Sequence, residues 1–218
     1  MLKVRSLLGV ATVLTAIPLM GSSAWSAACV SAPVATYTAA GFSCNVDGFT
    51  FSNIVVNTTV SNGGSVTLGN FTPVNPLPGE FGLLLNYTAL APAANATADI
   101  TWSYNVAGVP FIGDAFLALA GNTTGSGVAQ VSEILSNGVT LSLGAPGSTT
   151  ATFAPVSSLF VMKDQIDFVG AAGGTSTTSA LTNAFSVPAP IVGAGVPGLI
   201  AACGGLLGLA RRRRRQVA

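Results

Sequence analysis

The clearest periodicity in the chain runs from Ala98 to Val106, where Ala98, Ile100, Trp102, Tyr104 and Val106 alternate with Asp99, Thr101, Ser103 and Asn105. Successive side chains on a strand point to opposite faces, so a period of two predicts a strand with one buried and one wet face. Phe81, Leu83, Leu85 and Tyr87 make a second alternation, and Val139, Leu141 and Leu143 a third. The stretch from Phe49 to Val60 is rich enough in β-branched and aromatic residues for a fourth. Turn-forming clusters lie between them: Asn62-Gly63-Gly64, Pro73 to Gly79, Gly121 to Gly127, Asn137-Gly138, Ala145 to Ser148 and Gly170 to Gly174. Short strands at intervals of about ten residues predict a mainly β fold, an antiparallel sandwich-like single domain. No repeat of fixed length is present, which argues against a solenoid.

Helices are expected only at the two ends. Lys3 and Arg5, the apolar run Leu7 to Met20 and the small residues Gly21 to Ala28 have the order of a signal peptide, with cleavage after Ala28 or after Ala24. At the other end Pro188-Ala189-Pro190 precedes an uncharged apolar run, Ile191 to Ala210, and five consecutive arginines, Arg211, Arg212, Arg213, Arg214 and Arg215. Twenty helical residues extend about 30 Å, the hydrocarbon thickness of a bilayer. Each arginine at the membrane centre costs about 2.5 to 3.5 kcal/mol, so the cluster predicts a stop on the cytoplasmic side with the preceding domain outside. Gly204 and Gly208 add a small-xxx-small pair on which another helix can dock. The expected organisation is therefore a signal peptide over 1–28, a β-rich ectodomain over 29–187 and a C-terminal signal over 188–218.

Within residues 29–187, Lys163 stands alone against Asp47, Glu80, Asp99, Asp114, Glu133, Asp164 and Asp167, so one positive charge and seven negative ones leave −6. Nucleic acid and anionic lipid are poor partners for such a domain. Its hydroxyl-rich, nearly uncharged composition suits an extracellular or matrix setting. Cys29 and Cys44 are the only cysteines of this part, Cys203 being in the apolar tail, and they can close a loop that is worth about 3 kcal/mol as a disulfide. Zinc is the rival use of these thiols, although without histidine such a site would need carboxylates.

The absence of histidine removes Ser-His-Asp and Cys-His catalysis, and no phosphate-binding glycine loop is present. Paired carboxylates remain as a hydrolase option, but seven scattered acids read first as solvated surface charges. The run Lys163-Asp164-Gln165-Ile166-Asp167 reads first as a polar turn and second as part of a calcium loop. Trp102 and Tyr104 share a face that is read as core in preference to a sugar-stacking platform. Sequons begin at Asn57, Asn70, Asn86, Asn95 and Asn122, a number that a chain rich in Asn and Thr reaches by chance. No catalytic, cofactor-binding or metal residue is assigned.

The order Val187-Pro188-Ala189-Pro190, apolar helix and arginine cluster resembles the PEP-CTERM proteins, which Gram-negative bacteria export and an exosortase processes. Ala189 stands where that family has glutamate, so a variant subclass is implied. The ectodomain is similar to a group of such proteins through Cys29, Gly41 to Cys44, Phe49-Thr50-Phe51-Ser52-Asn53 and Phe153 to Leu159 leading to Lys163-Asp164. The resemblance implies handling by signal peptidase, transient insertion in the inner membrane, cleavage by an exosortase-like membrane protease near the Pro-Ala-Pro segment, and delivery to the cell surface or an exopolysaccharide matrix. The expected function is a non-enzymatic surface or matrix protein without a cofactor. A membrane-anchored adhesin or carbohydrate-binding module is the alternative, and a secreted carboxylate hydrolase comes third.

Overall fold

A computed structural model describes residues 26–188. Both end signals therefore fall outside the described residues, apart from Ser26 to Ala28 and Pro188. Nine strands follow in order: β1 (Ala27–Ala28), β2 (Ala32–Pro33), β3 (Ser43–Val46), β4 (Phe49–Ser61), β5 (Ser65–Val74), β6 (Glu80–Ala91), β7 (Thr97–Leu135), β8 (Thr140–Leu143) and β9 (Gly147–Ser186). A four-residue helix, α1 (Val34–Tyr37), interrupts them after β2 and has no counterpart in the sequence pattern. No helix among the described residues is long and apolar enough to cross a membrane.

The protein is mainly β, and all nine strands belong to one sheet, in the order β1-β3-β4-β7-β9-β6-β5-β2 with β8 added to β7. Pairing is antiparallel except for the two-residue contact of β1 with β3. The expected set of short strands is replaced at the centre by two very long ones, β7 of 39 residues and β9 of 40. They run side by side round two corners, and their registers show how. Residues 97–107 of β7 pair with 158–168 of β9, and residues 116–125 with 174–184. Residues 127–135 then return to the stretch 161–169 of β9 already used by the first limb. The sheet thus curls until its inner surfaces meet.

Glycine makes the second corner possible. Gly121 to Gly127 and Gly170 to Gly174, expected to be turns between strands, are bends within β7 and β9, where Gly125 pairs with Gly174. Gly125, Gly173 and Gly174 have φ of 58°, 80° and 138°. A Cβ on Gly174 would stand 2.2 Å from the Thr124 carbonyl oxygen. Only a residue without a side chain lets the two backbones approach so closely in that conformation.

The core follows the alternation. Ala98, Ile100, Trp102, Tyr104 and Val106 are fully buried, as are Leu83 and Leu85, with Tyr87 and Leu141 nearly so. Aromatic rings from opposing walls close the interior: Phe71 of β5 lies 5.0 Å from Trp102, and Phe51 of β4 lies 6.3 Å from Phe185 of β9. Each such side chain contributes about 1.5 to 3 kcal/mol by leaving water. At the N-terminal edge, Cys29 and Cys44 are joined as a disulfide and pack into the same core.

Candidate functional site

Two sets of polar side chains meet on opposite faces of the same three strand limbs, 97–107 and 127–135 of β7 with 158–168 of β9 between them. The run Lys163 to Asp167 is not a turn; it lies in β9, where strand alternation sends Lys163, Gln165 and Asp167 inward and Asp164 outward. Phe160 and Met162 take the outer face with Asp164 and are about half exposed. This stretch of β9 is therefore reversed in polarity relative to its neighbour 98–106.

On the inner face Lys163 stands between Trp102 and Glu133, its register partners on either side. Its Nζ donates to Glu133 Oε2 at 2.6 Å and lies 5.3 Å from the Trp102 ring centroid and 5.5 Å from that of Tyr104. From the opposite wall Asn183 Nδ2 donates to Glu133 at 3.2 Å and to the Phe116 carbonyl at 2.7 Å, while the Tyr104 hydroxyl donates to Asn183 Oδ1. Lys163, Glu133, Asn183 and Tyr104 are all fully buried. Burial pushes the Lys163 ammonium down to about 8 against the pull of the Glu133 carboxylate. Burial, reinforced by Glu133, also holds the Tyr104 phenol well above its ordinary value. A second inner group gathers on Asp167, which accepts from Ser176, Thr178 and Gln165 at 2.5, 2.5 and 2.9 Å. Of the acids read as solvated charges, Glu133 and Asp167 are thus in the core, and Glu80 is 7 % exposed.

On the outer face two shallow depressions of about 290 and 190 Å³ adjoin, with Ser132 and Asp164 lining both. Gln130, Ser142 and Ile166 also line the larger, and Thr101, Ile134 and Met162 the smaller. Asp99 lies on the same face, opposite Ile166. Its Oδ1 is enclosed without a partner, and burial together with the neighbouring Asp164 carboxylate raises its pKa to about 6. Asp99 pairs with Ile166 and Thr101 with Asp164, so the two acids are diagonal neighbours on this face. The face offers hydroxyl, amide and carboxylate groups beside exposed apolar side chains.

Sequence reasoning placed Trp102 and Tyr104 in the core, where they are found. It did not foresee the placing of Asp164 and Asp99 on one face, or the joining of Lys163 and Asn183 to Glu133; the alternation across residues 159–169 was the available signal. No group of three or more potential ligands, among the described residues, could hold a metal ion. Of the sorting residues only Pro188 is described. A Cβ on Gly113 would meet its ring at 2.9 Å, and Asp114 accepts from the backbone nitrogen and hydroxyl of Ser186 at 2.7 and 2.6 Å. The end of β9 is thereby clamped two residues before Pro188. Ala189 and Pro190 of the sorting motif lie outside the described residues. So does the whole expected stop-transfer cluster, Arg211, Arg212, Arg213, Arg214 and Arg215.

No protein-family model matches the chain. No curated protein matches it. Among solved structures, the carbohydrate-binding module TmCBM61 in complex with beta-1,4-galactotriose is similar over 58% of this chain and 86% of that one, at 8% identity and TM-score 0.30. The family 11 carbohydrate-binding module of a cellulosomal cellulase of Clostridium thermocellum is similar over 66% and 90%, at 11% identity and TM-score 0.25. The enzymatically active domain of bacteriophage CBA120 tailspike protein 4 is similar over 60% of this chain, which spans 19% of that one, at 15% identity and TM-score 0.28. Likeness at this level does not establish a common fold.

Proposed function

We propose that the protein is an exported, non-enzymatic surface or matrix protein whose sandwich-like domain holds a neutral polysaccharide on the outer face of β7 and β9. The observation that carries this reading is the pair of joined depressions sharing Asp164 and Ser132, set beside half-exposed Ile134 and Met162. Sugars present hydroxyls at their edges and C–H surfaces on their faces, and such a strip answers both. Asp99 and Asp164, in a domain of net charge −6, favour a neutral chain over an acidic one.

Delivery follows the sequence reading. Signal peptidase removes residues 1–28, the apolar tail and its five arginines hold the domain at the inner membrane, and an exosortase-like protease acts near Pro188, Ala189 and Pro190. The clamp of Asp114 on Ser186 supports this order, because the recognised segment leaves the domain from a fixed point. Affinity electrophoresis of the secreted protein through gels containing neutral polysaccharides tests the binding reading. Retardation by at least one neutral polymer, relieved in a Met162→Ala, Asp164→Ala variant of unchanged fold, is expected; migration unaffected by every polymer overturns it. Fractionation with mass measurement, in cells with and without the protease, tests the sorting. An intact Cys203-containing tail in both strains would instead favour a permanently anchored adhesin.

A further inference from the structure

The inner constellation has a chemistry that binding on the outer face does not use. A primary amine, a carboxamide and a carboxylate are enclosed together in an aromatic-lined core. Both nitrogens contact the same oxygen, Glu133 Oε2, at 2.6 Å for Lys163 Nζ and 3.2 Å for Asn183 Nδ2. The carboxamide is held from its other side by the Phe116 carbonyl, and its oxygen receives the Tyr104 hydroxyl. We infer that Lys163 and Asn183 become joined by an intramolecular isopeptide bond, formed without any other enzyme, with Glu133 as the proton carrier and Tyr104 as the donor to the developing oxyanion.

The step balances within the site. In a core of low dielectric the Lys163–Glu133 pair can pass its proton to the carboxylate, leaving a neutral amine and a carboxylic acid. The Nζ lone pair attacks Asn183 Cγ, the C=O π electrons move to Oδ1, and the Tyr104 hydroxyl stabilises that charge. Glu133 takes the remaining surplus proton from Nζ and supplies one to Nδ2. As the Cγ–Nδ2 bond breaks, ammonia leaves, the Nζ–Cγ amide is complete, and no oxidant or cofactor is consumed. The depressed pKa of Lys163 favours the nucleophilic amine. Burial serves the reaction twice, by excluding water from Cγ and by holding the reactants together, for which effective molarities reach about 10⁵ to 10⁸ M.

The bond would tie two strand limbs from opposite walls, 158–168 and 174–184 of β9, through the middle of the domain. It would be a second covalent fastening, independent of Cys29–Cys44 and indifferent to reductants. The site also accounts for a buried charge pair that otherwise stabilises little, since burying two ions costs about as much as their attraction returns.

Mass spectrometry of the purified full chain tests the inference, because the linked protein is lighter by one ammonia, about 17 Da. Lys163 is the only lysine or arginine between residues 29 and 187, so trypsin reports the linkage separately. After denaturation and disulfide reduction, an unlinked domain splits after Lys163, whereas an acylated Lys163 is not cut. The expected result is the loss of ammonia together with an uncut domain. Full mass with cleavage overturns the inference, and so does loss of ammonia with cleavage, which would place the loss elsewhere. Glu133→Gln is expected to retain full mass and be cut; a linked Glu133→Gln protein would overturn the role of that carboxylate. Should that variant not fold, Tyr104→Phe leaves the core volume nearly unchanged, and its linkage is expected to form at least tenfold more slowly; an undiminished rate would overturn the role of Tyr104.

Discussion

Two adjacent strand limbs of one sheet obey opposite rules. Along 98–106 of β7 the inward residues are Ala, Ile, Trp, Tyr and Val, and the outward ones are one acid, two hydroxyls and an amide. Along 160–167 of β9, hydrogen-bonded to it, Lys163, Gln165 and Asp167 are inside with Val161, while Phe160, Met162 and Ile166 are outside with Asp164. The first limb is arranged for stability. The second spends core volume on charge and surface on apolar side chains, and both choices lower stability unless the groups have work to do. The work proposed for each face is polysaccharide contact outside and covalent closure of a buried network inside.

The largest effect is expected from breaking the inner face of the reversed limb. Glu133→Ala strands the Lys163 ammonium and should destabilise the domain by about 3 to 5 kcal/mol, read by urea unfolding. A loss below about 1 kcal/mol would mean that water reaches Lys163. Trimming the regular limb by Trp102→Ala should cost a similar amount, about 3 to 5 kcal/mol, but through a cavity, with no dependence on pH. Reducing Cys29–Cys44 should remove about 3 kcal/mol, measured as a lower urea midpoint in dithiothreitol.

Smaller effects sharpen the contrast on the outer face. Asp99 has its folded-state pKa raised to about 6 from an ordinary 3.8, chiefly by burial and then by Asp164, so it stabilises the fold when protonated. That contribution is complete below pH 3.8 and is lost as the pH rises through 6. Asp99→Asn should therefore raise the melting temperature at pH 7 and leave it unchanged at pH 3.5; a fall at pH 7 would show Asp99 to be a favourable anion. Phe160→Ser should change stability by no more than about 0.5 kcal/mol, since the ring is half exposed, and a large loss would mean that another part of the chain covers it.

The regular limb was legible because its pattern depends only on the strand period and on burial of apolar groups. Leu83, Leu85 and Leu141 were readable for the same reason. The reversed limb was not, because Lys163 to Asp167 has the composition of a turn, and its burial depends on Glu133, Asn183, Ser176 and Thr178, which are remote in sequence. Composition also hid the corners: Gly121 to Gly127 and Gly170 to Gly174 carry the residues of hairpin turns, yet each bends one strand so that it continues in the opposite wall. The acid pair Asp99 and Asp164 is separated by 65 positions and needs the β7–β9 register to bring it together. Cys29 and Cys44 were readable, being the only cysteines between residues 29 and 187.

The reversal itself can be measured directly by exposing the native protein to a methionine oxidant and, separately, to an amine-acylating reagent. Met162 and Lys163 are neighbours in sequence, and each is the only residue of its type between positions 29 and 187. The account predicts that Met162 is oxidised at nearly the rate of the unfolded chain while Lys163 remains unmodified in the native state. Prompt acylation of Lys163 in the native state, with Met162 protected, would contradict it.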